Sequence, residues 1–322
     1  MKKIVLVVFY FGKFPDYFPL FLKSCKNNPE ITWKIYTDNV KSDEWPSNVE
    51  HILMSFEECR KKFQSKFSFE IRLDTPRKLC DFKPAYGYIL EEELKAYDFW
   101  GYCDIDMIFG NIMKFIEETD LQKYHKLYEL GHFTLYKNDF KINRQFMAAE
   151  AEKERYKEVY QNSEMLGFDE WGKGNINDIF KNSEHAFLEK RFGADIWPER
   201  TIFMLSWYDE KRNRYVPEKE KKCLFYVEDG HVFCCWKESG KIMQQEYPYV
   251  HMQKRVFKMP VIDADRYYIV PGKFDAKFKS REDAFSAIDL NLADRKKIFD
   301  KQFWKIKIQN LKRRIKTRNF KI

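Results

Sequence analysis

The sequence predicts an α/β protein, with a mostly parallel sheet flanked by helices, a smaller antiparallel β region and a C-terminal basic helix. Three observations lead there. Over the first hundred residues strand-like and helix-like stretches alternate, and strands separated by helices pair in parallel with helices on both faces. From about residue 125 the apolar runs shorten and are punctuated by the turn dipeptides Asp229-Gly230 and Ser239-Gly240. Beyond residue 295 the chain becomes strongly basic.

Taken in order, IVLVVFYF reads as a fully buried strand and PDYFPLFLKSCKNN as the helix after it. TWKIYTDN is a second strand, with Asp38 and Asn39 at its carboxyl end. VEHILMS is a third, followed by the helical stretch FEECRKKFQSKF. PAYGYILEEELKAY predicts a further helix with Pro84 in its first turn, and YDFWGYCDID the next strand. Ligands of such sheets bind beyond the carboxyl ends of the strands, where Asp38, Asp104 and Asp106 fall. YHKLYELGHFTLYKN predicts a hairpin around Gly131, and AAEAEKERYKEVYQN a polar helix. CLFYVEDGHVFCCWKESGKIMQQ predicts two or three antiparallel strands. Without repeats or a Pro/Gly/Ser-rich linker, the chain divides into one domain over 1–280 and a basic amphipathic helical extension over 281–322.

Composition bounds the function. The 322 residues are 44% hydrophobic, enough for a large core, and the 18% aromatic share reads first as core filling. The net charge of +8 is uneven: residues 295–322 hold twelve Lys and Arg against one acid, Asp300, leaving −3 for the rest. The body is therefore not a basic nucleic-acid binder. Seven cysteines without a C-x-x-C pair read as reduced thiols of a cytosolic protein. MKKIVLVVFYFG imitates a signal peptide, but no A-x-A site follows, and a first buried strand explains it better. No run approaches the ~20 apolar residues of a membrane span.

The chemistry concentrates in GYCDIDMIFG. Asp104 and Asp106 share one face of extended chain, so both carboxylates converge on one ligand. Such a pair repels itself unless a cation intervenes, and Mg²⁺ or Mn²⁺ held by carboxylates and substrate phosphates meets that need. Lys83, at the start of the helix that Pro84 opens, suits an anion, while Asp81 reads equally as that helix's N-cap.

Several pieces together carry a resemblance: IVLVVFYFGKFPDYFP, IYTDN, CDFKPAYG, GYCDIDMIFGNI, GHFTLYKN, FDEWGKGNIN and YVHMQKR, spanning residues 4 to 255. In these the sequence resembles GT-A-fold (Rossmann-like), nucleotide-sugar-dependent glycosyltransferases. More narrowly it is similar to a bacterial family encoded in capsule and surface-polysaccharide clusters. The resemblance implies a nucleotide-sugar donor, a UDP-sugar first, with Mn²⁺ or Mg²⁺. Asp104 would meet the ribose and the metal, Asp106 the metal, and His251 would be a further metal ligand. Lys254 and Arg255 would reach the departing diphosphate, and Asp81 and Lys83 would border the donor. Tyr10, Phe11 and Asp38 would lie along the nucleobase and ribose. Asp169, with Glu170 as the alternative, would be the base of an inverting transfer. Lipid-diphosphate-linked or other growing surface saccharides would be the acceptors, and His132 and Thr134 read either as lining them or as hairpin packing.

Two rivals remain open. A sugar nucleotidyltransferase needs a Gly-rich loop after the first strand, and only Gly12 stands there. A non-catalytic sugar-nucleotide or membrane-surface binding protein on the same scaffold is the other. In the tail, Trp304, Ile308, Leu311 and Ile315 recur at helical spacing amid cations. Such a helix lies on an anionic membrane surface or packs its stripe on its own domain. The expectation is a cytoplasmic protein, peripheral at the inner face of the membrane, without a nucleic-acid partner.

Overall fold

A computed structural model describes residues 2–41, 45–117, 121–148, 154–209, 214–253, 255–258, 265–288 and 300–319. They form two compact units, residues 1–105 with 112–192, and residues 106–111 with 193–322.

The first unit is built on a seven-stranded sheet. Its order is Val49–Leu53, Ile31–Thr37, Ile4–Tyr10, Phe99–Cys103, Phe133–Lys137, Lys126–Leu127 and Phe187–Leu188. The first four strands pair in parallel, as the βα alternation predicts. Phe133–Lys137 then runs antiparallel to both its neighbours, and the outermost pairing is parallel again. The sheet is therefore mixed, with four of its six pairings parallel, as the sequence predicts for most of it. The reason is local: the link through Gly131 between Lys126–Leu127 and Phe133–Lys137 is a hairpin, too short for a parallel crossover.

The apolar run Ile4–Val8 is buried in the middle of this sheet. Aromatic residues fill the space around it: Phe9 stacks on Tyr36 at 4.4 Å, and Trp100 on Tyr136 at 4.5 Å. Trp100 also donates its indole N–H to Asn143 Oδ1 at 2.7 Å, so its polar edge is satisfied. The helix Phe56–Gln64 opens on a capping box, Ser55 and Glu58 each accepting the other's backbone N–H. The helix predicted from Pro84 is instead a succession of short turns, with residues 79–82 already helical before it. Lys83 thus stands between two short helical turns and not at the N-terminus of one long helix.

The second unit is antiparallel. A six-stranded sheet is ordered Lys241–Tyr247, His231–Glu238, Arg214–Glu228, Arg266–Val270 and Lys273–Asp275, with Phe203–Asp209 also paired to the long strand. Its two hairpins turn at Asp229-Gly230 and Ser239-Gly240, where all four residues have positive φ, the requirement of a type I′ turn. A smaller sheet places Tyr249–His251 between Met107–Phe109 and Ala194–Asp195. The helix Arg281–Ser286, N-capped by Ser280, packs Ala284 and Phe285 onto Leu224, Tyr226 and Tyr268. The tail helix Lys301–Asn319 starts at the buried Asp300, which accepts from Phe303 N and from Thr201 N and Oγ1. All seven cysteines are free. Among the described residues no helix is long and apolar enough to cross a membrane.

Candidate active site

In the first unit, the strand Phe99–Cys103 ends at Asp104, whose backbone N–H continues the ladder to His132 O at 3.1 Å. The Asp104 carboxylate, partly exposed, accepts from Lys83 Nζ at 2.6 Å. Lys83 is buried and also donates to Gly131 O at 2.8 Å, with Asp169 at 3.9 Å. Burial alone would lower its pKa, but Asp104, Cys80 and Asp169 outweigh that and hold it well above the ordinary lysine value. A fixed positive charge therefore sits at the end of the central strands.

Asp169 is buried beside it. Burial raises its carboxyl well above the ordinary aspartate value, Lys83 opposes this, and Glu170, Asp104 and Asp81 add to it. Glu170 accepts the Gly131 N–H at 3.0 Å. The acidic loop is held from two sides. Asn175 N-caps the helix Ile176–Lys181, and Asn177 on that helix donates to Glu129 O and Glu170 O. Asp81 accepts from Leu166 N at 2.8 Å, Phe168 N at 2.9 Å and Lys78 Nζ at 2.7 Å. Lys78 in turn donates to Val159 O and Glu164 O. Asp81, fully buried, thus shapes the loop that carries Asp169.

The residues expected along the nucleobase cluster at the ends of the first two strands. Asp38 accepts from Gly12 N at 2.9 Å, Tyr10 donates to Lys13 O at 3.0 Å, and Phe11 packs edge-on against Phe56. His132 and Thr134 are buried in the hairpin, with Thr134 Oγ1 donating to Leu130 O.

In the second unit, His251 stands between two carboxylates. Its Nε2 lies 3.3 Å from Asp106 Oδ1, and its Nδ1 lies 2.8 Å from Asp195 Oδ1. Gln253 Nε2 donates to the same Asp195 oxygen at 2.5 Å. Burial would lower the His251 pKa, but Asp106 and Asp195 raise it well above the ordinary histidine value. Carboxylate oxygen facing imidazole nitrogen is a donor set that suits Mn²⁺, so Asp106 and His251 form a possible Asp/His site. Arg255 is turned away to protein: its guanidinium donates to the carbonyls of Trp197, Arg200 and Thr201, over the Phe203 ring. Burial lowers its pKa to about 10 despite Asp300 and Cys223. Lys254 lies outside the described residues.

Sequence reasoning missed Lys78, Asp195 and Gln253. Asp195, in RFGADIWPER, carries no motif, and only its place beside His251 in the fold distinguishes it.

The matching family's sequence pattern runs over residues 6–277, most of the chain. The chain belongs to a family of unknown function, DUF6625. No curated protein matches it. Among solved structures, it is similar to the galactosyltransferase LgtC in complex with donor and acceptor sugar analogs: 12% identity and TM-score 0.34, over 60% of this chain and 75% of that one. An active-site mutant of LgtC gives 13% and 0.35, over 60% and 74%. The apo-form glycosyltransferase GlyE of Streptococcus pneumoniae TIGR4 gives 14% and 0.32, over 59% and 45%. At scores this low, the chemistry of the DUF6625 chain has to be argued from its own residues.

Proposed function

We propose that this protein is a metal-dependent glycosyltransferase that moves a sugar from a nucleotide-diphosphate donor, first a UDP-sugar, to a surface-polysaccharide or lipid-linked acceptor. The observation that carries the reading is Asp104 at the end of a central strand, fixed by the buried Lys83 next to the buried Asp169, whose proton affinity burial raises. Asp104 would take the ribose side of the donor, and within the second unit Asp106 with His251 would hold Mn²⁺ or Mg²⁺. Asp104 and Asp106 are separated by a single residue, and Asp106 faces His251 within its own unit. The bound cation would neutralise charge on the leaving diphosphate.

Asp169 acts as the base. A carboxylate with raised proton affinity is better matched to neutral pH than an ordinary one. It takes the proton of the acceptor hydroxyl as that oxygen bonds to the anomeric carbon and the anomeric carbon–diphosphate bond breaks, inverting the centre. Lys83 is a standing positive charge for the donor side, and Tyr10, Phe11 and Asp38 line the nucleoside.

The tail supports a membrane-facing acceptor. Trp304, Ile308, Leu311 and Ile315 are 45–57% exposed on the helix Lys301–Asn319, whose other positions are rich in Lys and Arg. This pattern favours the anionic surface of the cytoplasmic leaflet over packing on the protein's own body.

Incubating the protein with UDP- and GDP-sugars and Mn²⁺, and measuring nucleoside diphosphate release, tests the reading. Release from at least one donor is expected. Binding of donors without release from any, with or without saccharide acceptors, would leave a binding protein in place of an enzyme.

A further inference from the structure

We infer that Asp195 is a positioning residue that fixes the ring of His251 for cation binding, an inference that rests on the metal role proposed for His251. The strand register sets it up. Ala194–Asp195 runs parallel to Tyr249–His251 with Asp195 opposite His251, and Met107–Phe109 runs antiparallel on the other side with Met107 opposite His251. Two backbone bonds pin this end of the small sheet: Met252 N donates to Asp106 O at 2.9 Å, and Ile196 N to His251 O at 3.1 Å. Asp106 and Asp195 consequently address opposite nitrogens of one imidazole.

Gly193, with φ +100°, makes the close approach possible, because a Cβ there would lie 2.3 Å from the Tyr249 ring. A larger residue at 193 would push Ala194–Asp195 away from the strand that carries His251.

The chemistry follows from the two faces of the ring. An imidazole can give only one lone pair to a cation, and the partner of its other nitrogen decides which. Asp195 Oδ1 accepts the proton on Nδ1, which leaves Nε2, on the Asp106 side, as the nitrogen that can ligate once it is deprotonated. Gln253 Nε2 donates to that same oxygen and keeps the carboxylate from rotating away. In this role Asp195 acts through His251.

The test is Mn²⁺ binding to the full-length protein, followed by the loss of the free-ion electron paramagnetic resonance signal, without any nucleotide. Asp195→Asn is expected to weaken binding by roughly 10- to 100-fold, and Asp195→Glu to recover part of it. On a His251→Ala background, Asp195→Asn is expected to have no further effect, because its route through the ring is gone. If Asp195→Asn does not fold, Gln253→Ala carries the test, with an expected several-fold loss of Mn²⁺ affinity. Equal losses from Asp195→Asn with and without His251 would make it an independent charge effect and overturn the inference. So would unchanged binding in Asp195→Asn when His251→Ala abolishes it. Unchanged binding in His251→Ala would instead overturn the metal reading beneath it.

Discussion

Asp169 is a carboxyl that the fold holds against its own ionisation, and this has consequences for both stability and rate. Its folded pKa lies above its unfolded one. The stabilisation linked to its proton is thus fully present below the ordinary carboxylate range and declines as pH rises to the raised value. Asp169→Asn should therefore increase the unfolding free energy at neutral pH, by about 1.4 kcal/mol for each unit of the shift it removes. In the same protein, transfer to acceptor should fall roughly 10²- to 10⁴-fold while donor binding persists. Calorimetry and a transfer assay check the two halves. A variant that is more stable and fully active would move the base to Glu170 or elsewhere. The acidic pair at 169–170 is legible in the sequence because two acids with glycines announce a loop. What separates them is not, because it depends on the Gly131 hairpin and the buried Lys83 arriving from distant parts of the chain.

At the scale of elements, the βα order and both type I′ hairpins follow from local rules, and the structure bears them out. The pieces that escaped are short strands with no periodicity, such as Ala194–Asp195, whose existence depends on the partner strand. The broken helical stretch after Pro84 escaped because its apolar and acidic pattern reads as one continuous helix, whereas packing divides it into single turns. The Lys78–Asp81 pair, 1% and 0% exposed, is the element-level anchor of the acidic loop. Lys78→Met should cost about 3–5 kcal/mol by leaving Asp81 as an uncompensated buried charge, measured as a loss in denaturant midpoint at unchanged slope. The tail helix makes the opposite prediction. Trp304→Asp with Ile308→Asp should leave the melting transition nearly unchanged, since both side chains are exposed. The same pair should abolish flotation with anionic vesicles. A large drop in stability would show that the stripe is packed and not displayed.

At the scale of the whole molecule, a −3 body carrying a +11 tail should bind anionic vesicles strongly at low salt and release them as salt rises. The thiols give a second global reading. Six of the seven cysteines are buried, and burial pushes Cys59, Cys80 and Cys235 up to about 12. The native protein should therefore resist a thiol-specific colorimetric reagent at neutral pH and expose seven thiols on denaturation. Rapid reaction of several thiols in the native state would contradict this burial. The most direct measurement of all is nucleoside diphosphate release from a UDP-sugar by metal-stripped protein before and after Mn²⁺ is restored, in the wild type and in Asp106→Ala. Metal-dependent catalysis predicts release that is absent without the ion, returns with it, and does not return in a folded Asp106→Ala. Equal release in all four conditions would contradict it.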